Sequence, residues 1–174
     1  MGQEGKNRQG MASKMTAGGE KHPSQSLRTG LFAALWAAGV VVADQAAKFL
    51  ARHFLTYGEP REIIPGFFNL ALVFNRGAAW GMMAGFRFFF VALAIAMLAL
   101  IAFKWRVLFN GALGRVSGIL LSGGILGNAI DRAVFGYVTD FIDLWHGTYH
   151  FPCFNIADSA ICIGVALYFF VRKK

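Results

Sequence analysis

Charged side chains are scarce in this 174-residue sequence: 15% are Asp, Glu, Lys or Arg, against 56% hydrophobic residues. A soluble domain carries about a quarter charged residues. The scarcity therefore excludes an ordinary water-soluble fold and leaves lipid as the solvent for most of the chain. Cysteine is scarcer still. Cys153 and Cys162 are too few for a disulfide framework, and Cys162 lies inside an apolar block, so both are expected as free thiols. Metal and nucleophile motifs are missing as well. No HExxH occurs, His146 and His150 sit in a Gly-containing loop without an obvious third ligand, and neither a GxSxG elbow nor a glycine-rich phosphate loop is present. The expectation is no metal and no cofactor.

Acids number nine against 17 Lys and Arg. That excess does not point to nucleic acid, because the cations flank apolar blocks rather than interleaving with aromatic or polar residues on one face. They cluster at Lys6 to Arg28, at Lys104, Arg106 and Arg115, and at Arg172 to Lys174. This is the bias of a multi-span membrane protein.

Four apolar blocks are long enough, or nearly so, for the ~20 residues that cross a bilayer as a helix. They run over 31–51, 88–103, 113–130 and 156–171, the last three completed by tilt or flanking residues. The fold class expected is a membrane all-α protein of four transmembrane helices. The inner segments hold eleven Lys and Arg with two acids, whereas the loops 52–87 and 131–155 hold five Arg with five acids. Both termini are therefore expected in the cytoplasm and the two long loops outside. Residues 1–27, rich in Gly, Ser, Lys and Gln, read as a disordered cytoplasmic tail or a leader, and 28–174 as one domain. FFNLALVF at 67–74, bounded by Pro65-Gly66 and Asn75, predicts a small extracytoplasmic β element between helices 1 and 2.

Ionisable residues at the rim of a membrane helix cost several kcal/mol unless paired or wet. All five Asp lie at the outer ends of spans or in the outer loops. Asp44 and Lys48, four apart on the first helix, share a face and read as an ion pair. GNAIDR, closing the third block, places Asn128, Asp131 and Arg132 on a limited arc, where Arg132 either pairs with Asp131, snorkels or binds a ligand. Asp140 lies in YVTDFID, and Asp158 in the first turn of the fourth helix. The 131–155 loop joins the outer ends of helices 3 and 4, so Asp140 or Asp143 can meet Asp158 near the outer surface. Two carboxylates in contact share one proton, and such a pair supplies both a base for water and an acid for the leaving amine. A peptidase is one reading. An ion-coupled transporter is another, but its polar residues should run through the bilayer depth, whereas these gather at one face. A non-catalytic scaffold gives no reason for two Asp flanked by Asn.

Four stretches, VVADQAAKF (41–49), NRGAAWG (75–81), GNAIDRAVFGYVTDFID (127–143) and FNIADSAI (154–161), resemble in order and spacing the lipoprotein signal peptidases (signal peptidase II) of bacteria. The resemblance covers nearly all of 31–172. It implies an aspartyl endopeptidase of the inner membrane that cleaves diacylglyceryl-modified prolipoproteins just before the lipidated Cys. It implies Asp140 and Asp158 as the catalytic pair, with Asp143 a bystander. It further implies that Asp44, Lys48, Asn75, Gly77, Asn128, Arg132, Asn155 and Ala157 bind substrate or shape the site, which faces the periplasm. The partners expected are the prolipoprotein and membrane lipid, with the enzyme a monomer.

Overall fold

The structure, a computed structural model, describes residues 23–77 and 82–172; of the tail expected at 1–27, residues 1–22 lie outside the described residues, as does most of the NRGAAWG motif. Two compact units divide the chain after Phe32. In the first, the described residues are helical, starting at Pro23 rather than after the expected tail boundary at 27. A proline at the first helical position forfeits no helical hydrogen bond, since that N–H has no partner in a helix anyway. The architecture below concerns the unit from Ala33 onward.

The helices are α1 (Pro23–Phe54), α2 (Arg87–Leu108), α3 (Gly111–Phe135) and α4 (Ile156–Arg172). Three of them, over Arg28–Phe54, Arg87–Leu108 and Gly111–Phe135, are long and apolar enough to cross a membrane. In α2 only Ile101 is buried, and Phe88, Ile95 and Phe103 are exposed. A helix apolar on every side, with its side chains uncovered by protein, needs lipid around it. Here α2 continues past Phe103 through Lys104 and Arg106, because basic residues are good helix formers and suit the carboxyl end of the dipole. It stops at Phe109, and the chain turns at Gly111 with φ of 70°, a conformation that costs glycine nothing. α3 ends the same way on Gly136, φ 80°, whose N–H returns to the Arg132 carbonyl.

The β element is larger than the sequence suggested and does not lie only between helices 1 and 2. Strands β1 (Arg61–Ile64) and β2 (Phe68–Asn75) come from that loop, but β3 (Val138–His146) and β4 (Tyr149–His150) come from the connection between α3 and α4. The four form one antiparallel sheet in chain order. β3 escaped sequence reading because Val138 to Phe141 are buried in succession, which erases the in–out alternation that marks a half-exposed strand.

One extra residue in β2 interrupts its register with β3: Leu70 pairs with Ile142, yet Val73 pairs with Asp140. The bulge inverts which face the following β2 side chains occupy. Asn69 and Asn75, six apart, would otherwise share a face. Burial records the inversion, since Asn69 and Leu72, three apart, are both buried.

Helix contacts run through glycine. A Cβ on Gly124 would sit 2.5 Å from the Ala157 carbonyl oxygen of α4, and one on Gly123 would sit 2.6 Å from Val40 Cβ of α1. Such small residues let helix backbones approach closely where the hydrophobic effect cannot drive association. Gly124→Ala must push α4 away from α3, so it is expected to lower stability by about 1–3 kcal/mol, the usual cost of overpacking. Gly39→Ala, whose Cβ would meet nothing within 4 Å, serves as the control and is expected to be neutral or slightly stabilising. Thermal unfolding of both variants in detergent checks the contrast.

Candidate active site

The site is assembled from a buried charge cluster outward. On α1, Asp44, Lys48 and Arg52 recur every four residues and so fall on one face. Lys48 is fully buried, and its ammonium is held 2.8 Å from Asp44 Oδ2 and 3.5 Å from Asp131 Oδ2, while donating to Asn128 Oδ1 at 2.9 Å. Three acceptors for three N–H donors is the full complement of an ammonium group. Asp131 also accepts from Gln45 Nε2 (3.1 Å) and from the backbone N–H of Thr139 (2.9 Å). Among the described residues, every buried side-chain nitrogen and oxygen has a hydrogen-bond partner.

Of the pairings open to Arg132, the one with Asp131 is not formed. Consecutive helix residues point about 100° apart, and Asp131 is committed towards α1. Arg132 instead donates to the Gly77 carbonyl (3.0 Å) and lies over the Phe90 ring at 4.9 Å. Gly77 in turn donates its N–H to Asn75 Oδ1 at 2.9 Å.

The amino end of α4 is capped twice. Asp158 N–H donates to Asn155 Oδ1 (2.9 Å) and Asn155 N–H donates to Asp158 Oδ2 (3.2 Å), a reciprocal capping box written with Asn and Asp. Ala157 N–H, another donor that a helix leaves orphaned, donates to Asp44 Oδ1 at 2.9 Å. Asp44 thus links the buried lysine to the helix that carries Asp158.

Four amide donors surround the two candidate carboxylates. Asn75 Nδ2 donates to Asp140 Oδ2 (3.1 Å) and Asn155 Nδ2 to Asp140 Oδ1 (2.7 Å). Asn128 Nδ2 donates to Asp158 Oδ1 (2.7 Å), and the Asn155 backbone to its other oxygen. Asn155 therefore touches both carboxylates. Burial raises the Asp140 carboxyl and the neighbouring Asp158 charge raises it further. The hydrogen bonds from Asn75 and Asn155 and the charge of Lys48 act the other way, and the balance brings Asp140 up to about 7. A carboxyl so placed holds a proton near neutrality.

Both carboxylates line one cavity of about 540 Å³. Asn75 and Arg132 add polar walls, while Val138, Phe151, Phe154 and Ile163 make apolar ones. Cys153 and Cys162 also line it, both free. Burial pushes the Cys153 thiol up to about 12, so it carries no thiolate at neutral pH. Among the described residues, no group of three or more His, Cys, Asp and Glu side chains is placed to hold a metal ion.

Asp143 stands apart. Three residues from Asp140 on one strand, it projects from the opposite face. There it accepts from Asn69 Nδ2 (2.9 Å) and faces His150 Nδ1 (2.9 Å), and it is not part of the cavity wall. The β2 bulge makes this division workable, since it puts Asn69 on the face of Asp143 and Asn75 on the face of Asp140.

All ten residues singled out from the sequence fall in this network or in the cavity wall. Gln45, Arg52 and Thr139 were missed. Arg52 donates to Thr139 Oγ1 at 2.8 Å, and Thr139 is fully buried beside Asp140. The available signal was position: Arg52 continues the Asp44–Lys48 spacing by one more turn.

Residues 36–172 match the family model described as signal peptidase (SPase) II. The lipoprotein signal peptidase of Syntrophotalea carbinolica is 41% identical over 132 residues, covering 74% of this chain and 82% of that protein. That of Burkholderia cenocepacia is 43% identical over 132 residues, covering 74% and 79%. A bacterial membrane enzyme solved by the in meso method at 2.3 Å resolution superposes with a TM-score of 0.75 at 38% identity, covering 80% of this chain and 86% of its own. A second, solved by the same method at 1.9 Å, gives 0.69 at 34%, covering 82% and 93%. A membrane fold with two amide-clamped carboxylates in one cavity, and matches of this extent, carry one conclusion: the chain belongs to the signal peptidase II family, the lipoprotein signal peptidases, and is a peptidase.

Proposed function

We propose that Asp140 and Asp158 are the catalytic pair with which this peptidase removes the signal peptide from lipid-modified prolipoproteins, cutting just before the lipidated Cys. The observation that carries the reading is Asn155, which touches both carboxylates where they line one cavity. The pair holds one proton between them at neutral pH. The ionised carboxylate takes a proton from the attacking water while the protonated one gives its proton to the carbonyl oxygen. As the gem-diol collapses, the first passes the water's proton to the leaving amine and the second takes back a hydroxyl proton, which restores the pair. The protonation states belong to the pair rather than to either residue. Asn75, Asn128 and Asn155 fix the carboxylates. Arg132 and Asn75 face the cavity, where they meet the substrate backbone, and Gly77 and Ala157 offer the backbone groups that Arg132 and Asp44 hold.

All four helices cross the inner membrane in this reading, with both termini cytoplasmic and the sheet on the periplasmic face. The basic clusters about the start of α1, on either side of the α2–α3 turn and at the end of α4 support that orientation. α4, at 17 residues, spans about 26 Å, close to a hydrocarbon core of about 30 Å. The lipid chains of the substrate stay in the bilayer, and this fixes the scissile bond at the depth of the dyad. In this reading the enzyme is a monomer, since one chain is enough to supply both carboxylates and their amide partners.

Asp140→Asn and Asp158→Asn are each expected to cut kcat by at least about a thousandfold while precursor binding persists. Turnover of a lipopeptide substrate by purified enzyme measures this, and substantial residual cleavage by either variant rules out the pair.

The pH dependence follows from the same carboxyl. Below the lower apparent pKa of the pair there is no base, and above the upper one there is no acid, so kcat is expected to be bell-shaped with its alkaline limb near 7. Folding stability has a definite sign too. The folded protein binds the Asp140 proton more tightly than the unfolded chain does, so this group's contribution is full below about 4 and lost as pH rises to about 7. Asp140→Asn should flatten the stability profile across that interval, and unfolding followed from pH 4 to 8 reads it directly.

A further inference from the structure

Thr139 is tied on three sides, and none of the ties touches the cavity. Its N–H donates to Asp131 Oδ2 at 2.9 Å, its hydroxyl accepts from Arg52 Nη1 at 2.8 Å, and its carbonyl accepts from Asn155 Nδ2 at 3.4 Å. It is fully buried and stands immediately before Asp140. Asp131, also fully buried, is held from α1 by Lys48 and Gln45. Arg52 is fixed by its position over the Phe135 ring, 4.7 Å from the centroid. The cavity is lined by neither Asp131, Arg52 nor Thr139.

We propose that Asp131 and Arg52 are positioning residues: from α3 and α1 they hold Thr139 of β3 by its backbone N–H and its hydroxyl, and so set where Asp140 stands relative to Asp158. The role rests on the reading of Asp140 and Asp158 as the reacting pair. Asp140 sits on a strand and Asp158 on a helix, so their separation is fixed only as well as β3 is fixed to the helices. β3 is hydrogen-bonded as a ladder to β2 and β4, which hold it within the sheet. The ties from Thr139 to α1 and α3 anchor that sheet to the bundle. Displacement of a reacting group by about 1 Å costs up to a hundredfold in rate, so an anchor one residue from Asp140 has leverage on kcat without contacting substrate.

The charges around the anchor provide a readout that distinguishes positioning from mere support. Lys48, Asp44, Asp131 and Arg52 face one another across the junction, with Arg132 and Asp158 beyond. In Asp131→Asn, Lys48 keeps Asp44 as its sole carboxylate partner. Its field then acts more strongly on Asp140, and a nearby negative charge is gone. Both changes favour ionised Asp140. The kcat profile of Asp131→Asn is expected to fall about tenfold or more and to move its alkaline limb to lower pH, with KM for a lipopeptide unchanged. Thr139→Val tests the clamp without altering any charge. It keeps the β-branched shape and the N–H but removes the acceptor for Arg52. It is expected to lower kcat about three- to tenfold, and adding Arg52→Met should lower it no further.

Loss of folded enzyme alone would scale the Asp131→Asn profile and leave both limbs in place. That outcome, or wild-type kcat in Thr139→Val, overturns the assignment. Should Asp140→Asn retain turnover, the dyad itself fails, which is a separate result read from a separate variant.

Discussion

A lysine ammonium buried inside a membrane helix bundle is the constraint on which the rest of this structure depends. An unpaired charge in such a place costs several kcal/mol, and removing one partner of a buried pair costs about 3–5 kcal/mol. Lys48 therefore dictates its surroundings: a carboxylate one turn back at Asp44, an amide oxygen at Asn128 and a second carboxylate at Asp131. Each of those partners carries a second obligation. Asp44 caps α4 through Ala157, Asn128 turns its amide nitrogen to Asp158, and Asp131 holds the backbone of β3. The orientation of Asn128 is a case in point. Its oxygen is claimed by Lys48 and by Asn155 Nδ2, so its nitrogen must face the carboxylate. One cation thus sets the polarity of the hydrogen bonds that reach both candidate catalytic groups.

The same economy holds at the start of α4. A helix leaves its first N–H groups without partners, and ordinary proteins satisfy them with a Ser, Thr, Asp or Asn side chain. Here the cap is made from the residues of the site. Asn155 caps with its oxygen and spends its amide on Asp140, and Asp158 closes the box with one oxygen while the other accepts from Asn128. A stability feature and a candidate catalytic group are the same atoms. Substitution at Asn155 therefore removes a cap and loosens Asp140 at once, and the two effects cannot be assigned separately from activity alone.

Much of this was legible in the sequence because its signals are local. Apolar length located the helices, and the four-residue spacing of Asp44 and Lys48 predicted their pairing. Asp158 read as a residue of a helix's first turn, which it is. What did not show was whatever depends on partners distant along the chain. β3 is buried on both faces and loses the alternation that identifies a strand. Arg52 and Thr139 are 87 residues apart, and nothing near either one announces the other. The preference for Asp140 over Asp143 was not local either. Both sit among aromatic and β-branched residues, and the resemblance chose between them.

The physical ground for that choice lies in the sheet. A strand sends residues three apart to opposite faces, so Asp140 and Asp143 were bound to have different surroundings once β3 formed. A regular β2 would have offered its two asparagines, Asn69 and Asn75, to a single face and left one carboxylate without an amide from this strand. The extra residue between Leu70 and Val73 divides them, one to each. On one face Asp143, Asn69, Trp145 and His150 form a closed polar cluster that holds β4 against its neighbour. On the other, Asp140 meets the helix bundle, where Asp158 shares its cavity and raises its proton affinity. The two aspartates of one strand, nearly alike in sequence context, are given different partners by a single inserted residue on the strand beside them.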